Sequence, residues 1–370
     1  MSWYKIKNEA AVPSPAILIF PDRIQANIQQ MLVIAGGPGR LRPHVKTHKL
    51  PQVIRMQVEV GISRFKCATL SEAVMVAENG GTDILMAYPL YGPAIGQLLQ
   101  LARQYPALRF SAIVDNARQV AEMERQAESA GHPLDVFLDM NVGMERTGIK
   151  PGPEAVALFR QVANSVWLRP RGLHMYDGHL GISDPEAREA ACNAGFEPVS
   201  EMIRYLDSAG LHPEEVVCGG TPTFPIHAKH PARTLSPGTV LLWDWGYAIK
   251  FPDLPFQHAA VLFTRVVSKP AGNKLCLDLG HKAVASEMPP PRVNLFGITA
   301  YEHLTHSEEH LVITFDGAER FVPGDCLYGI PTHICPTMAL HDFVWAVSGQ
   351  EAAEKWYLTA RTREVASLGH

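Results

Sequence analysis

No excess of charge marks this chain: 33 Lys and Arg stand against 37 Asp and Glu, a net charge of −4. The basic residues are scattered, so no field is strong enough for a nucleic-acid partner. Long apolar runs are missing too. No stretch approaches the roughly 20 apolar residues needed to cross a bilayer, which argues against a membrane partner. The apolar run at 16–20 is too short for a signal-peptide core, and Lys5, Lys7 and Glu9 precede it. A cytoplasmic protein is the expectation. The six cysteines, Cys67, Cys192, Cys218, Cys276, Cys326 and Cys335, are dispersed and form no Cys-x-x-Cys pair. A disulfide scaffold is therefore not expected in a chain this large; thiols or a metal ligand are. Internal repeats and low-complexity tracts are lacking. Gly36-Gly37-Pro38-Gly39 precedes a strand and matches neither dinucleotide nor Walker spacing, so it reads as a loop.

What is present is material for a substantial core, with 46 % hydrophobic residues over 370 positions. Strand-like runs at 16–20, 41–45, 64–68, 83–87, 109–114, 135–139, 171–175 and 215–218 alternate with amphipathic stretches. A helical pattern covers 22–34, and another covers 71–79 with Ser71 as N-cap. Repeated βα units of this number predict an α/β fold, a (β/α)8 barrel over residues 15–248; an open doubly wound sheet is the alternative. Beyond 248 the pattern changes to strands at 259–267, 274–279, 310–315 and 326–330. That predicts a second, mostly β domain over 249–370, with residues 1–14 candidates to join it. A closing helix is expected at about 352–365.

Polar groups gather after the predicted barrel strands, where barrel active sites are built. Lys46 lies in Arg42-Pro43-His44-Val45-Lys46-Thr47-His48-Lys49. Schiff-base chemistry needs an uncharged amine. Neighbouring cations such as Arg42, Lys49 and protonated His44 or His48 would help to lower its pKa. The plain alternative is a surface lysine in a basic loop. Arg146 sits in Asp139-Met140-Asn141-Val142-Gly143-Met144-Glu145-Arg146-Thr147-Gly148, a glycine-containing turn suited to an anion or polar ring substituent, or simply a βα turn capped by Asn141. Tyr176 lies in Gly172-Leu173-His174-Met175-Tyr176-Asp177-Gly178-His179, another strand end loaded with polar rings. Gly219-Gly220-Thr221 follows a late strand and exposes backbone N–H groups that form an anion nest for a phosphate; Ser236-Pro237-Gly238-Thr239 is a weaker candidate. Finally, His333 and Cys335 stand two apart in Pro331-Thr332-His333-Ile334-Cys335-Pro336-Thr337. In an extended segment they face the same way and would grip one zinc ion, leaving positions open as in a catalytic site. A satisfied histidine beside a buried cysteine is the bland alternative. The run His303, His306, Ser307, Glu308, Glu309, His310 also has metal-like spacing but reads better as a polar loop.

Taken in order, these features resemble the alanine-racemase-type fold of pyridoxal-phosphate enzymes. More narrowly, Pro43-His44-Val45-Lys46-Thr47-His48-Lys49, Ser307-Glu308-Glu309-His310 and His333-Ile334-Cys335-Pro336-Thr337 resemble the D-threonine aldolase and D-serine dehydratase family. The resemblance implies that Lys46 carries pyridoxal 5'-phosphate as a Schiff base. It places Arg146 by the ring's phenolic oxygen and Tyr176 near the pyridine nitrogen. Gly219, Gly220 and Thr221 would hold the phosphate, with Tyr247 a weaker possibility. His333 and Cys335 would bind a divalent metal. Members of the family differ at the second ligand, some using a carboxylate. Cysteine favours zinc over manganese or magnesium and leans towards the dehydratase branch.

The expected function is a lyase acting on small D-β-hydroxy-α-amino acids, first as an aldolase releasing glycine and an aldehyde. A dehydratase acting on D-serine or D-threo-3-hydroxyaspartate is the runner-up. A non-catalytic pyridoxal-phosphate carrier belongs to a different class, and a second domain with a metal pair argues against it. A racemase would need a second acid/base, and the sequence identifies none. The resemblance also implies a homodimer.

Overall fold

A computed structural model describes residues 2–363 and Val365. The chain divides into two compact units: Met31–Gly238 is one, and the segment up to Gln30 with Thr239–Arg361 is the other. Among the described residues no helix is long and apolar enough to cross a membrane.

The Met31–Gly238 unit is the barrel. Seven parallel strands follow one another in space in chain order: Arg64–Cys67, Asp83–Met86, Arg109–Val114, Leu134–Met140, Leu168–Met175, Glu215–Cys218 and Arg233–Leu235. The eighth position is held by residues 41–44. Leu41 bridges Leu235 and His44 bridges Lys66, both in parallel, so this segment closes the gap between the last strand and the first. A full strand at 41–45 was expected; Pro43 lacks the N–H that a continuous ladder needs, and two single bridges result. Helices cover the outside. Three of them are capped by side chains on the N–H three residues on: Thr69 on Glu72, Asn116 on Gln119 and Asp184 on Ala187. Thr69, not Ser71, is therefore the cap of the helix Leu70–Glu78.

The barrel interior is layered, because residues two apart on a strand share a face. The lowest layer is ionic. Arg42, fully buried, reaches Asp83 at 3.0 Å and Glu215 at 2.9 Å, and Arg64 and Arg171 join the same two carboxylates. Above it Leu85, Ile113, Phe137 and Val217 form an apolar plug. Beside it Lys66 pairs in register with Leu85 and His174 with Val217, and Asp139 lies two residues beyond Phe137; all three are buried.

The other unit is a nine-stranded sheet. Its long strand Ala260–Ala271 pairs antiparallel with Ala16–Ile19, Lys274–Leu277 and Cys326–Pro331. Ala16–Ile19, which heads the βα pattern in the sequence, thus lies in the β unit, where it also runs parallel to Phe343–Ser348. The core gathers Ile6, Leu18, Val261, Phe263, Tyr328 and Ile330. The helix expected at 352–365 is instead the strand Glu351–Tyr357, paired antiparallel with Phe343–Ser348. Ala352 and Trp356 point inward between exposed neighbours. Helix-forming Ala, Glu and Lys are overridden there by cross-strand pairing. Glu364, within the span of that expectation, lies outside the described residues.

Candidate active site

Lys46 sits in the turn that follows the His44–Lys66 bridge. Two histidines build this turn. The Lys46 N–H donates to His44 Nδ1 at 3.2 Å, and the Leu50 N–H donates to His48 Nδ1 at 3.1 Å. Both rings are buried, and burial drives both pKa values down: His44 well below its ordinary value, His48 to about 3. They are neutral acceptors that shape the loop. This corrects the expected electrostatics of the run. Arg42 is spent in the ionic layer at the strands' N-terminal ends, and Lys49 is paired with Glu72. A basic group that the fold brings to face Lys46 is Lys66.

Tyr176, one residue past Leu168–Met175, is the meeting point. The Lys46 Nζ lies 5.6 Å from its ring centroid, the Lys66 Nζ 5.8 Å and the Arg146 guanidinium carbon 5.0 Å. Arg146 is carried by a loop that Asn141 organises, accepting from the N–H groups of Gly143 and Glu145. Gly148 (φ 98°) closes that loop; a Cβ there would stand 2.6 Å from the Asn141 nitrogen. Gly220 packs against Tyr176, and a Cβ at 220 would lie 2.8 Å from the ring. The structure thus brings Lys46, Arg146, Tyr176 and Gly220 to one place.

The Gly219-Gly220-Thr221 loop is held from behind. Thr223 Oγ1 accepts from the Gly220 N–H at 3.2 Å and donates to Asp177 at 2.6 Å. Asp177 in turn bonds His227 Nε2 at 2.8 Å, and Arg233 contacts His227 Nδ1 at 3.0 Å. Asp177, Cys192 and His227 have spacing that would suit a metal ion. Their chemistry favours a hydrogen-bond network instead. A guanidinium only donates, so Nδ1 accepts and Nε2 keeps the proton that Asp177 takes. Burial pushes the Cys192 thiol up, so that within this network it stays protonated.

Gly238 donates to Thr221 Oγ1 at 3.3 Å, which brings the two candidate phosphate segments side by side. Beside them the Ser236 hydroxyl is buried with no partner among the described residues. A cationic cluster, a glycine-lined cradle and an orphaned hydroxyl are what an aromatic aldehyde phosphate requires, so the residues fit pyridoxal phosphate. Lys66 is the member of this region that the sequence did not point to; Asp139 and His174 lie in the polar strand-end runs without a role of their own. For Lys66 the parallel register with His44 is the signal, and it is a property of the fold.

In the β unit, His333 has extended backbone (φ −136°, ψ 106°), and Cys335 lies in the first turn of the helix Ile334–Met338. The expected extended segment is thus broken by a helix start, yet the two side chains still hydrogen-bond. Glu287 takes His333 Nδ1 at 2.6 Å. The buried Asp244 accepts from the N–H groups of Ile334 and Tyr247, fixing where this helix begins. Burial works against a charged His333 ring, but Cys335 first, then Glu287 and Asp244, outweigh it and bring the pKa up to about 9. A thiol and an imidazole backed by a carboxylate form a donor set suited to zinc. Tyr247 stacks on Trp243 in this same unit. His306 is engaged by Arg292 and the Leu279 carbonyl, and Glu308 and Glu309 pair with Lys282, so that run offers no common metal point.

Comparison with known proteins gives a consistent result. Residues 259–347 match a putative serine dehydratase domain. A D-threonine aldolase of Arthrobacter sp. is 28 % identical over 95 % of this chain and 93 % of that protein. A D-threo-3-hydroxyaspartate dehydratase of Delftia sp. (strain HT23) is 31 % identical over 57 % of this chain and 56 % of that protein. The crystal structure of a D-threonine aldolase from Filomicrobium marinum superposes with a TM-score of 0.89 at 29 % identity, covering 97 % of this chain and 98 % of that one. Residues 19–244, more than half the chain and including every barrel residue gathered at Tyr176, match the family of the alanine racemase N-terminal domain, and to that family this chain belongs.

Proposed function

We propose that this protein is a pyridoxal-phosphate- and metal-dependent lyase that cleaves D-β-hydroxy-α-amino acids, first among them D-threonine, to glycine and an aldehyde. The observation that carries this reading is the convergence of Lys46, Lys66 and Arg146 on Tyr176 beside Gly220. Similarity to an aldolase along nearly the whole chain supports the choice of reaction.

Bound pyridoxal phosphate supplies an electron sink for charge at the substrate's Cα, and a bound metal supplies Lewis acidity to a β-hydroxyl. The chain's own residues do the holding. Lys46 is assigned the covalent bond to the cofactor. Arg146 is assigned to the phenolic oxygen, Tyr176 to the pyridine nitrogen, and Gly219, Gly220 and Thr221 to the phosphate. His333 and Cys335 are assigned the metal, with zinc preferred to manganese or magnesium because a thiol is a soft ligand. A homodimer in the cytoplasm completes the reading; none of the six cysteines forms a disulfide.

Cys335 itself favours a second outcome. A soft thiolate ligand suits the dehydratase branch, in which the hydroxyl leaves and a keto acid and ammonia result. In that case Lys46 must also accept the Cα proton. Incubation with D-threonine and with D-serine, each with and without chelator, separates the readings. Glycine plus acetaldehyde establishes the aldolase, and keto acid plus ammonia the dehydratase. A cofactor-bound protein that turns over neither is a carrier. Sedimentation analysis tests the dimer.

A further inference from the structure

Asp177 follows Tyr176 directly, and the reaction above gives it no role. It stands at the centre of a line of polar groups, and it, Thr223 and His227 are at most 3 % exposed. One carboxylate oxygen lies 2.8 Å from His227 Nε2 and 3.7 Å from Cys192 Sγ, and the other lies 2.6 Å from Thr223 Oγ1. Burial works against a charged carboxylate here, but His227 and then Thr223 outweigh it as hydrogen-bond donors and hold the Asp177 pKa below its ordinary value. The carboxylate is therefore an acceptor only, and the Thr223 hydroxyl must donate to it. That leaves the lone pairs of Oγ1 to the Gly220 N–H at 3.2 Å.

The glycine loop is pressed against this line. A Cβ on Gly219 (φ 80°) would stand 2.8 Å from a His227 ring carbon and 3.1 Å from Thr223 Oγ1. On the other side, a Cβ on Gly220 would stand 2.8 Å from the Tyr176 ring. The Gly219 N–H donates to the Met175 carbonyl at 3.1 Å and the Gly220 N–H to Thr223, so both point back into the fold. The loop is thus clamped between the Tyr176 ring and the Thr223–His227 side. Asp177 is bonded to the second wall and is the next residue in the chain after the first. We infer that Asp177 is a positioning residue for the cofactor's phosphate: through Thr223 it fixes the peptide between Gly219 and Gly220 against the Tyr176 ring, and so the shape of the loop that receives that phosphate. The inference rests on the reading of Gly219-Gly220-Thr221 as the phosphate loop and adds what holds that loop in place.

A carboxylate behind a loop that receives an anion would by itself repel that anion. Arg233 offsets this. Its guanidinium donates to His227 Nδ1 at 3.0 Å, and His227 donates from Nε2 to Asp177, so the line carries opposite charges at its two ends. Arg233 is itself held over the Phe196 ring, 3.5 Å from the centroid. The line spans several elements: Asp177 follows the strand Leu168–Met175, Cys192 and Phe196 lie on the helix Pro185–Ser208, His227 on the helix Phe224–Ala228, and Arg233 begins the strand Arg233–Leu235. The charge on Asp177 matters to the loop because it sets the direction of the Thr223 hydroxyl. An amide in its place would present one acceptor and one donor, so either His227 or Thr223 would face an N–H.

The test removes the intermediary and asks for a loss confined to the phosphate. Thr223→Val deletes the hydroxyl at similar volume, and Thr223→Ser keeps it. In the full-length, cofactor-free protein, amide hydrogen exchange at Gly220 should quicken about tenfold in Thr223→Val and stay near the wild-type rate in Thr223→Ser. Titration should show affinity for pyridoxal phosphate falling about tenfold in Thr223→Val, and affinity for pyridoxal, which lacks the phosphate, falling less than about twofold. Asp177→Asn should give the same selective loss, and that arm stands if Thr223→Val does not fold. A loss that falls equally on both ligands marks a merely structural role and overturns the inference, as does an unmoved affinity in a folded variant of either kind. Wild-type protein that binds pyridoxal as tightly as pyridoxal phosphate sinks the phosphate-loop reading itself, whatever the exchange rates do.

Discussion

Histidines in the two units are driven in opposite directions. In the barrel unit, His44, His48 and His174 are buried beside cations and lose their charge. In the β unit, His333 is also partly buried, but Cys335, Glu287 and Asp244 surround it and it is held charged to about pH 9. The same side chain is thus a neutral acceptor that shapes a loop in one place and a protonated partner of Cys335 and Glu287 in the other. Burial acts alike on both; the sign of the neighbours decides. The barrel region is built to suppress positive charge on its own groups while presenting it to an anion. The surroundings of His333 favour positive charge, which a bound metal ion would supply in place of the proton.

The largest test of this contrast is Lys46→Ala. If the barrel cluster is organised around that amine, the substitution removes cofactor attachment and lowers activity at least about a thousandfold. The absorbance of the lysine-bound cofactor is the direct measurement, and its persistence would break the assignment. On the other side, Glu287→Gln should weaken metal affinity about 10–100-fold, because the ligand loses its carboxylate partner. Metal content after dialysis against graded chelator reads this, and unchanged retention would make Glu287 a bystander.

A pH experiment addresses the neutral histidines. His48 titrates near 3 when folded and near 6.5 when unfolded. The unfolded state therefore binds more protons between those values. The stability this group contributes is present above 6.5 and drains away as pH falls towards 3. Between pH 7 and pH 5 the loss is about 2 kcal/mol from this residue. Urea unfolding at the two pH values should show a gap smaller by that amount in His48→Asn; an equal gap would mean His48 is protonated when folded. The smallest expected effect is Ser236→Ala. Its hydroxyl has no partner among the described residues, so the cofactor-free protein should keep its stability. Affinity for pyridoxal phosphate should fall about fivefold, one hydrogen bond's worth. Isothermal titration would show it, and equal affinity would remove Ser236 from the phosphate cradle.

Much of the architecture was readable from the chain. Continuous apolar runs between amphipathic stretches mark a parallel barrel because its strands are buried on both faces. The change of pattern near residue 248 marks a different kind of unit. Where reading failed, longer-range pairing decided. Ala16–Ile19 has the composition of a barrel strand but finds its partners in Ala260–Ala271 and Phe343–Ser348. Glu351–Tyr357 has helix formers at helical spacing, and antiparallel pairing with Phe343–Ser348 makes it a strand.

For the site, the local sequence was sufficient to single out Lys46, Arg146, Tyr176, the Gly219-Gly220 nest and the His333–Cys335 pair, since each lies in a short run whose residue types are unusual together. It could not say which cation stands next to Lys46. Arg42, four residues away, spends its charge on Asp83 and Glu215 at the other end of the barrel. Lys66, twenty residues away, is brought alongside by the parallel bridge to His44. Sequence distance measures neighbours along the chain, whereas a pKa responds to neighbours through space. Only the closed barrel, with its ionic layer below and Lys66, His174 and Asp139 above, determines which of those charges the Lys46 amine feels.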